Sequence, residues 1–227
     1  EGAPNVASLL VAHGANVNAV TNEGRTCLHL AAWKGHVHLV EGLLAAGAAL
    51  GVEDKDGCCA LTFACRNGHA AMARHLLADG VSPTQTHRAL HAACRKGHTG
   101  VVALLLSAGA DWEAPENHGW RPLHCASAGG HLGVVRLLLD WGASMGSLDS
   151  QGCSALHLAC DRGHIDVVRL LLAAGADTDS KNYDGKDAFL AAKAKGHLGV
   201  LRSLLDRKAA AHPSREKAPR RRPVVSD

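Results

Sequence analysis

Aromatic residues are nearly missing from this chain: one Tyr, two Phe and four Trp make up 3% of 227 residues. A core must therefore be built from Leu, Val and Ala, within an apolar fraction of 47%. Proline is also scarce, at 7 residues. Few prolines beside many Ala and Leu exclude disordered and collagen-like chains. The longest Leu/Val/Ala run, Val101–Leu106, falls far short of the roughly 20 apolar residues that cross a bilayer. No basic-then-apolar leader opens the chain. It begins at Glu1 rather than Met, which reads as a fragment or a processed end. There is no P-loop, GxSxG, HExxH or dinucleotide glycine fingerprint, so neither catalysis nor a cofactor is expected.

Net charge is +3, and it is unevenly placed. Residues 206–227 hold seven Lys/Arg against three Asp/Glu, which leaves the rest slightly acidic. Overall charge therefore gives no argument for nucleic acid. Eight cysteines are spread along a long chain without a secretion signal, which fits a reducing intracellular setting, cytoplasmic or nuclear.

What is there in quantity is glycine, 25 residues, and it is periodic. Gly-His occurs at 35, 68, 97, 130, 163 and 196, with steps of 33 residues and one of 29. Gly14, Gly47, Gly80, Gly109, Gly142 and Gly175 repeat with the same period and one shared irregularity. The unit is 33 residues, with four residues deleted between Gly80 and Leu90. Each unit predicts two short helices: Leu156 to Arg162 stopped by Gly163, then Ile165 to Leu172 ended before Gly175. The polar stretch Asp177–Gly185 predicts a turn or hairpin. A single helix pair cannot bury its apolar face, so the units must stack.

These residues resemble the ankyrin repeat. Arg121-Pro122-Leu123-His124 sits on the family's TPLH motif, and Thr26-Cys27-Leu28-His29 and Ser154-Ala155-Leu156-His157 are close variants. The resemblance covers about residues 2–205. It implies an all-α solenoid of helix pairs with short β-hairpin loops projecting as fingers. The units fall at 1–20 (partial), 21–53, 54–82, 83–115, 116–148, 149–181 and 182–212, so the domain is 1–212. Residues 213–227, with Arg220-Arg221-Arg222, read as a disordered basic tail. Thr62 and Leu190 replace the motif His, Arg121 replaces the motif Thr, and Arg207-Lys208 replace the final Ala-Gly. The last helix is therefore expected to run on toward Ala211. The first unit lacks its first helix, with Gly2 aligned on the inter-helix Gly. The deletion predicts a lost or stunted finger at 81–88 and a notch in the row.

Ten of the 16 His lie on the repeat grid and are expected to satisfy backbone groups. His91/Cys94 and His157/Cys160 fall out of the same pattern, and no second zinc-type spacing accompanies them, so no metal is expected. Cys65, Cys94 and Cys160 share a small buried slot, whereas Cys58 is expected at an exposed hairpin position. Asp54 and Asp56 read as turn residues.

The resemblance implies binding on a concave face made of hairpin tips and the ends of the first helices. Those ends read Trp33-Lys34, Arg66-Asn67, Arg95-Lys96, Ala128-Gly129, Asp161-Arg162 and Ala194-Lys195. Hairpin positions include His118, Trp120 and Tyr183. The candidate partner-binding residues are therefore Trp33, Lys34, Arg66, Arg95, Lys96, His118, Trp120, Arg162 and Tyr183. Exposed Trp33 and Trp120 would be anchors, and the Lys/Arg row points to a protein or extended peptide with an acidic segment. The expected protein is a monomeric, non-enzymatic interaction module. The alternatives are the ankyrin part of a larger enzyme or ubiquitin-ligase adaptor, or nucleic-acid contact through the tail. Asn18, in Gly14-Ala15-Asn16-Val17-Asn18 with Leu10 upstream, resembles an asparagine-hydroxylation context in ankyrin repeats.

Overall fold

The computed structural model describes residues 9, 11 and 13–211. The expectations at Gly2 and Leu10, and the tail 213–227, lie outside these residues.

Twelve α-helices and no strand occur among the described residues. They form six pairs: α1 (Cys27–Lys34) with α2 (Val37–Ala45), α3 (Ala60–Arg66) with α4 (Ala70–Ala78), and α5 (Pro83–Lys96) with α6 (Thr99–Ser107). Then follow α7 (Pro122–Gly129) with α8 (Leu132–Asp140), α9 (Ala155–Arg162) with α10 (Ile165–Ala173), and α11 (Ala188–Lys195) with α12 (Leu198–Ala211). First helices stack on first helices and second on second, so the molecule is an all-α solenoid. One continuous core of Leu, Val, Ala and small Cys runs through the stack. Leu138, Leu156 and Leu171 are completely covered, and so is Cys160 in its small slot. Helix α12 reaches Ala211, as the loss of its Ala-Gly stop implies.

The motif builds its own helix start. In α1 the Thr26 hydroxyl accepts from the His29 N–H, and His29 Nδ1 accepts from the Thr26 N–H at 3.0 Å. Two of the amide groups left over at a helix start are thereby satisfied. The first helix ends at a left-handed residue, Gly163 in α9 with φ 76°. A side chain there would be strained, and its Cβ would lie 2.7 Å from Nδ1 of His197 in the next unit. Backbone conformation and close stacking thus both require glycine.

The fingers differ in detail from the expected β-hairpins. Each is a five-residue turn with one backbone bond between its ends, as from the Asp54 N–H to the Cys58 carbonyl at 3.0 Å, and an inner one, as from the Gly57 N–H to the Asp54 carbonyl at 2.8 Å. The reciprocal bond of a ladder is not made between backbones. Asp54 Oδ1 instead accepts from the Cys58 N–H at 2.9 Å and the Asp56 N–H at 3.0 Å. Thr21, Asp149 and Asn182 do the same in their fingers. A short polar side chain takes the place of the second rung.

Adjacent fingers are tied tip to tip. The Lys55 N–H donates to the Glu23 carbonyl at 2.9 Å, Ser150 to His118 at 2.8 Å, and Tyr183 to Gln151 at 3.0 Å. The chain of ties breaks at the deletion. No finger forms at 81–88; α5 begins at Pro83 and runs 14 residues, capped by Ser82 with Gln85 reaching back.

Candidate functional site

First-helix ends and finger residues border common recesses: Arg66 and Arg95 with Asp56 and Glu116, and Asp161 and Lys195 with Gln151 and Asn182. Trp33 is 45% exposed and Tyr183 76% exposed. Lys34 Nζ lies 4.8 Å above the Trp33 ring. Lys96, Arg162 and His118 are exposed, and Arg162 lies 3.7 Å from the Asp161 carboxylate. Two expectations change. Trp120 is half-buried and packs on the core, so it is in part a structural residue. Arg66 is half-buried as well, with its guanidinium 5.4 Å from the Phe63 ring and 3.3 Å from Cys58 Sγ.

The grid histidines hold this row in place. His69 Nε2 donates to the Trp33 carbonyl, His98 to Arg66, His131 to Arg95, His164 to Ala128 and His197 to Asp161, each at 3.0 Å. Each His thus fixes the backbone of the row residue one unit earlier. The motif histidines His29, His91 and His124 tie Cys58, Ala114 and Ser147 in the same manner. His157 departs: its buried Nε2 has no hydrogen-bond partner among the described residues, and it borders a groove of about 370 Å³ between fingers 149–153 and 182–186.

Cys58 is buried rather than exposed, because its N–H is drawn in by Asp54 and its sulfur lies under Arg66. Cys27 is the exposed thiol. Burial pushes Cys160 up to about 12 and Cys125 up to about 11, which keeps both protonated at neutral pH.

The broken finger row leaves a recess of about 90 Å³ between fingers 54–58 and 116–120, floored by α3 and α5. The sequence reading missed two residues here. Arg88 Nη1 donates to the Gly57 carbonyl at 2.6 Å and to Asp56 at 3.3 Å. The guanidinium thus stands where the amide of a following finger would be. Glu116 opens its finger where the others carry Thr, Asp or Asn. One methylene longer than Asp, it does not fold back onto its own turn. It reaches Arg95 Nη2 at 2.6 Å and His91 Nδ1 at 3.6 Å. Its finger keeps the end-to-end bond, from the Glu116 N–H to the Trp120 carbonyl at 2.7 Å, but in place of the side-chain rung it has a 3₁₀ turn, with His118 left-handed at φ 62°. Aligning the first residue of every finger exposes the Glu116 signal; Arg88, read as part of a stunted loop, offers none.

His91, Glu116 and Cys125 bring donor atoms within 4.8 Å of one another, the one group of three possible metal ligands among the described residues. Arg95 Nη2 lies against the same carboxylate and 3.7 Å from Cys125 Sγ. A guanidinium already supplies the positive charge a cation would bring there. Cys94, His157 and Cys160 are not part of this group.

Asn18 is exposed and bridges two units: its Oδ1 accepts from the Ala49 N–H at 2.8 Å, and its Nδ2 donates to the Gly47 carbonyl at 3.3 Å.

A family model described as "Ankyrin repeats (3 copies)" matches residues 1–87, 40–116, 82–149 and 141–216. The chain belongs to the ankyrin repeat family. Among solved structures it is similar to the crystal structure of the human ASB11 ankyrin repeat domain. The TM-score is 0.81 at 30% identity, over 91% of this chain and 93% of that one. No curated protein matches the chain. Ankyrin repeats are in general protein-interaction modules, and no helix among the described residues is long and apolar enough to cross a membrane.

Proposed function

We propose that the chain is a non-enzymatic recognition module that binds another protein, or an extended peptide, along its concave, finger-bearing face. The observation that carries this reading is the preorganised row itself. Fingers are tied tip to tip, and histidines pin the carbonyls of Trp33, Arg66 and Arg95. Little ordering entropy is lost when a partner binds a surface already held in place. Exposed Trp33 and Tyr183 supply aromatic anchors, the residue type enriched at interface hot spots. Exposed Lys34, Arg95, Lys96 and Arg162, with half-buried Arg66, favour a partner with an acidic segment. The module acts as a monomer inside the cell, in cytoplasm or nucleus, with repeats at the boundaries given above. Asn18 is proposed as a hydroxylation position, and intact mass after treatment with an ankyrin asparagine hydroxylase tests it.

The function is tested on a partner isolated by affinity capture and then purified. By calorimetry, Trp33→Ala combined with Tyr183→Ala is expected to weaken binding at least tenfold, about 1.4 kcal/mol. Arg136→Ala with Arg169→Ala, exposed on second helices, should leave it unchanged. A partner that ignores the first pair and responds to the second would move the site to the other face.

A further inference from the structure

We propose that the recess left by the missing finger seats the carboxylate of a single acidic side chain from an extended partner segment. This rests on the interaction-module reading and names what one point of that face recognises.

Three guanidinium groups border the recess, those of Arg66, Arg88 and Arg95. They come from α3, from the helical turn that replaced a finger, and from the end of α5. Each carries five N–H donors in a planar fork. Their protein partners use few of these. Arg88 spends Nη1 on the carbonyls of Asp56 and Gly57, Arg66 points Nη2 at a sulfur, and Arg95 gives Nη2 to Glu116. Sulfur is a weak acceptor, so Arg66 is poorly satisfied for a half-buried guanidinium. The facing carboxylates are Asp56 and Glu116, two against three cations. The imbalance calls for one more negative charge.

Size and shape select its form. About 90 Å³ admits a carboxylate with its adjoining methylenes and little more. The guanidinium fork matches a carboxylate bidentately. Glu116 already makes a one-point contact of this kind: its Oε2 lies 2.6 Å from Arg95 Nη2. The finger that elsewhere fills this space is absent, so an extended segment crossing the row can lower a side chain between fingers 54–58 and 116–120.

The probe is a nine-residue Gly/Ser peptide, acetylated and amidated, with one central Glu. Two companions carry Gln in its place, one of them with a free C-terminal carboxylate. Binding is followed by nitrogen–proton NMR of the whole chain, including arginine Nε–H signals. The Glu peptide is expected to shift the amides of 56–58 and the Nε–H of Arg66, Arg88 and Arg95 saturably. Its half-saturation should come at least tenfold lower in concentration than that of either Gln peptide. Arg66→Gln with Arg95→Gln should abolish the difference. If that pair loses its fold, Arg66→Gln alone carries the test, since it gives up only a sulfur and a ring contact. Glu116→Gln should bind the Glu peptide several-fold tighter, because Arg95 is released. Lys96→Gln, an equal change of charge outside the recess, should stay within about twofold.

Equal binding of the Glu and capped Gln peptides overturns the proposal. So does preference for the free C-terminus, or a loss in Lys96→Gln as large as in Arg66→Gln. The two readings fail separately. A natural partner lost by Trp33→Ala/Tyr183→Ala but kept by Arg66→Gln/Arg95→Gln sinks the recess alone. A partner kept by both sinks the face.

Discussion

Asp54 and Asp56 stand two residues apart in one finger and do different work. Asp54 is 6% exposed, accepts two backbone N–H groups, and lies 3.3 Å from Arg25 Nε. Asp56 is exposed at the tip. Removing a buried acceptor strands its donors at about 1–3 kcal/mol each. Asp54→Ala should therefore cost about 3 kcal/mol in urea unfolding, and Asp56→Ala less than about 0.5 kcal/mol. Equal costs would mean that the finger is not closed by that side chain. The two tryptophans separate in the same way. Trp120 packs on the core while Trp33 stands in solvent under Lys34. Trp120→Ala should lower stability by about 2 kcal/mol as a partial cavity forms, and Trp33→Ala by much less. A stable Trp120→Ala would restore Trp120 as a surface anchor. Leu138 is fully buried, and Leu138→Ala should cost about 2–5 kcal/mol as the cavity reference for both.

Helix α5 is the element that departs most from its siblings, and Ser82 is the reason it can. Ser82 accepts from the Gln85 N–H and Gln85 Oε1 accepts in return, with Pro83 at the first helical position. That is a complete helix start, and Ser82→Ala should cost about 1 kcal/mol. Hydrogen exchange should then speed up over 83–88 and stay slow over 89–96. Uniform acceleration through 96 would show α5 to be one cooperative block. The deletion made the loss of a finger legible in the sequence. What replaces it is not legible from the deletion alone, because proline marks loops as well as first helical positions, and only the full Ser82-Pro83-Thr84-Gln85 pattern signals a helix start. The period, the helix pairs and the buried histidines were legible because stacking demands the same side chain in the same slot of every unit. The pairing of Arg95 with Glu116 was not, since it depends on one methylene at the head of one finger.

Along the whole solenoid, buried histidines make stability depend on pH. Burial lowers the pKa of His29, His91 and His124, though each donates Nε2–H to a carbonyl that partly offsets it. Around His91, Glu116 favours the charged form while Arg95 and His87 oppose it. In the unfolded chain all three titrate near about 6.5. Between that value and the lower folded ones, the unfolded chain binds more protons, so stability rises with pH. The contribution is complete above about 6.5 and is lost as pH falls through the folded values. This window opens above the ordinary carboxylate range, so it separates from acid denaturation. The three residues sit in α1, α5 and α7. Units stabilise one another only through their neighbours, so a loss at these positions weakens the interfaces on either side. The urea midpoint should therefore fall between pH 7.5 and 5.5, with unchanged slope. In His29→Gln/His124→Gln the midpoint should start lower at pH 7.5 and fall less steeply, since two of the three titrating groups are gone. A wild-type midpoint that is flat across this window would show that burial does not hold these rings neutral.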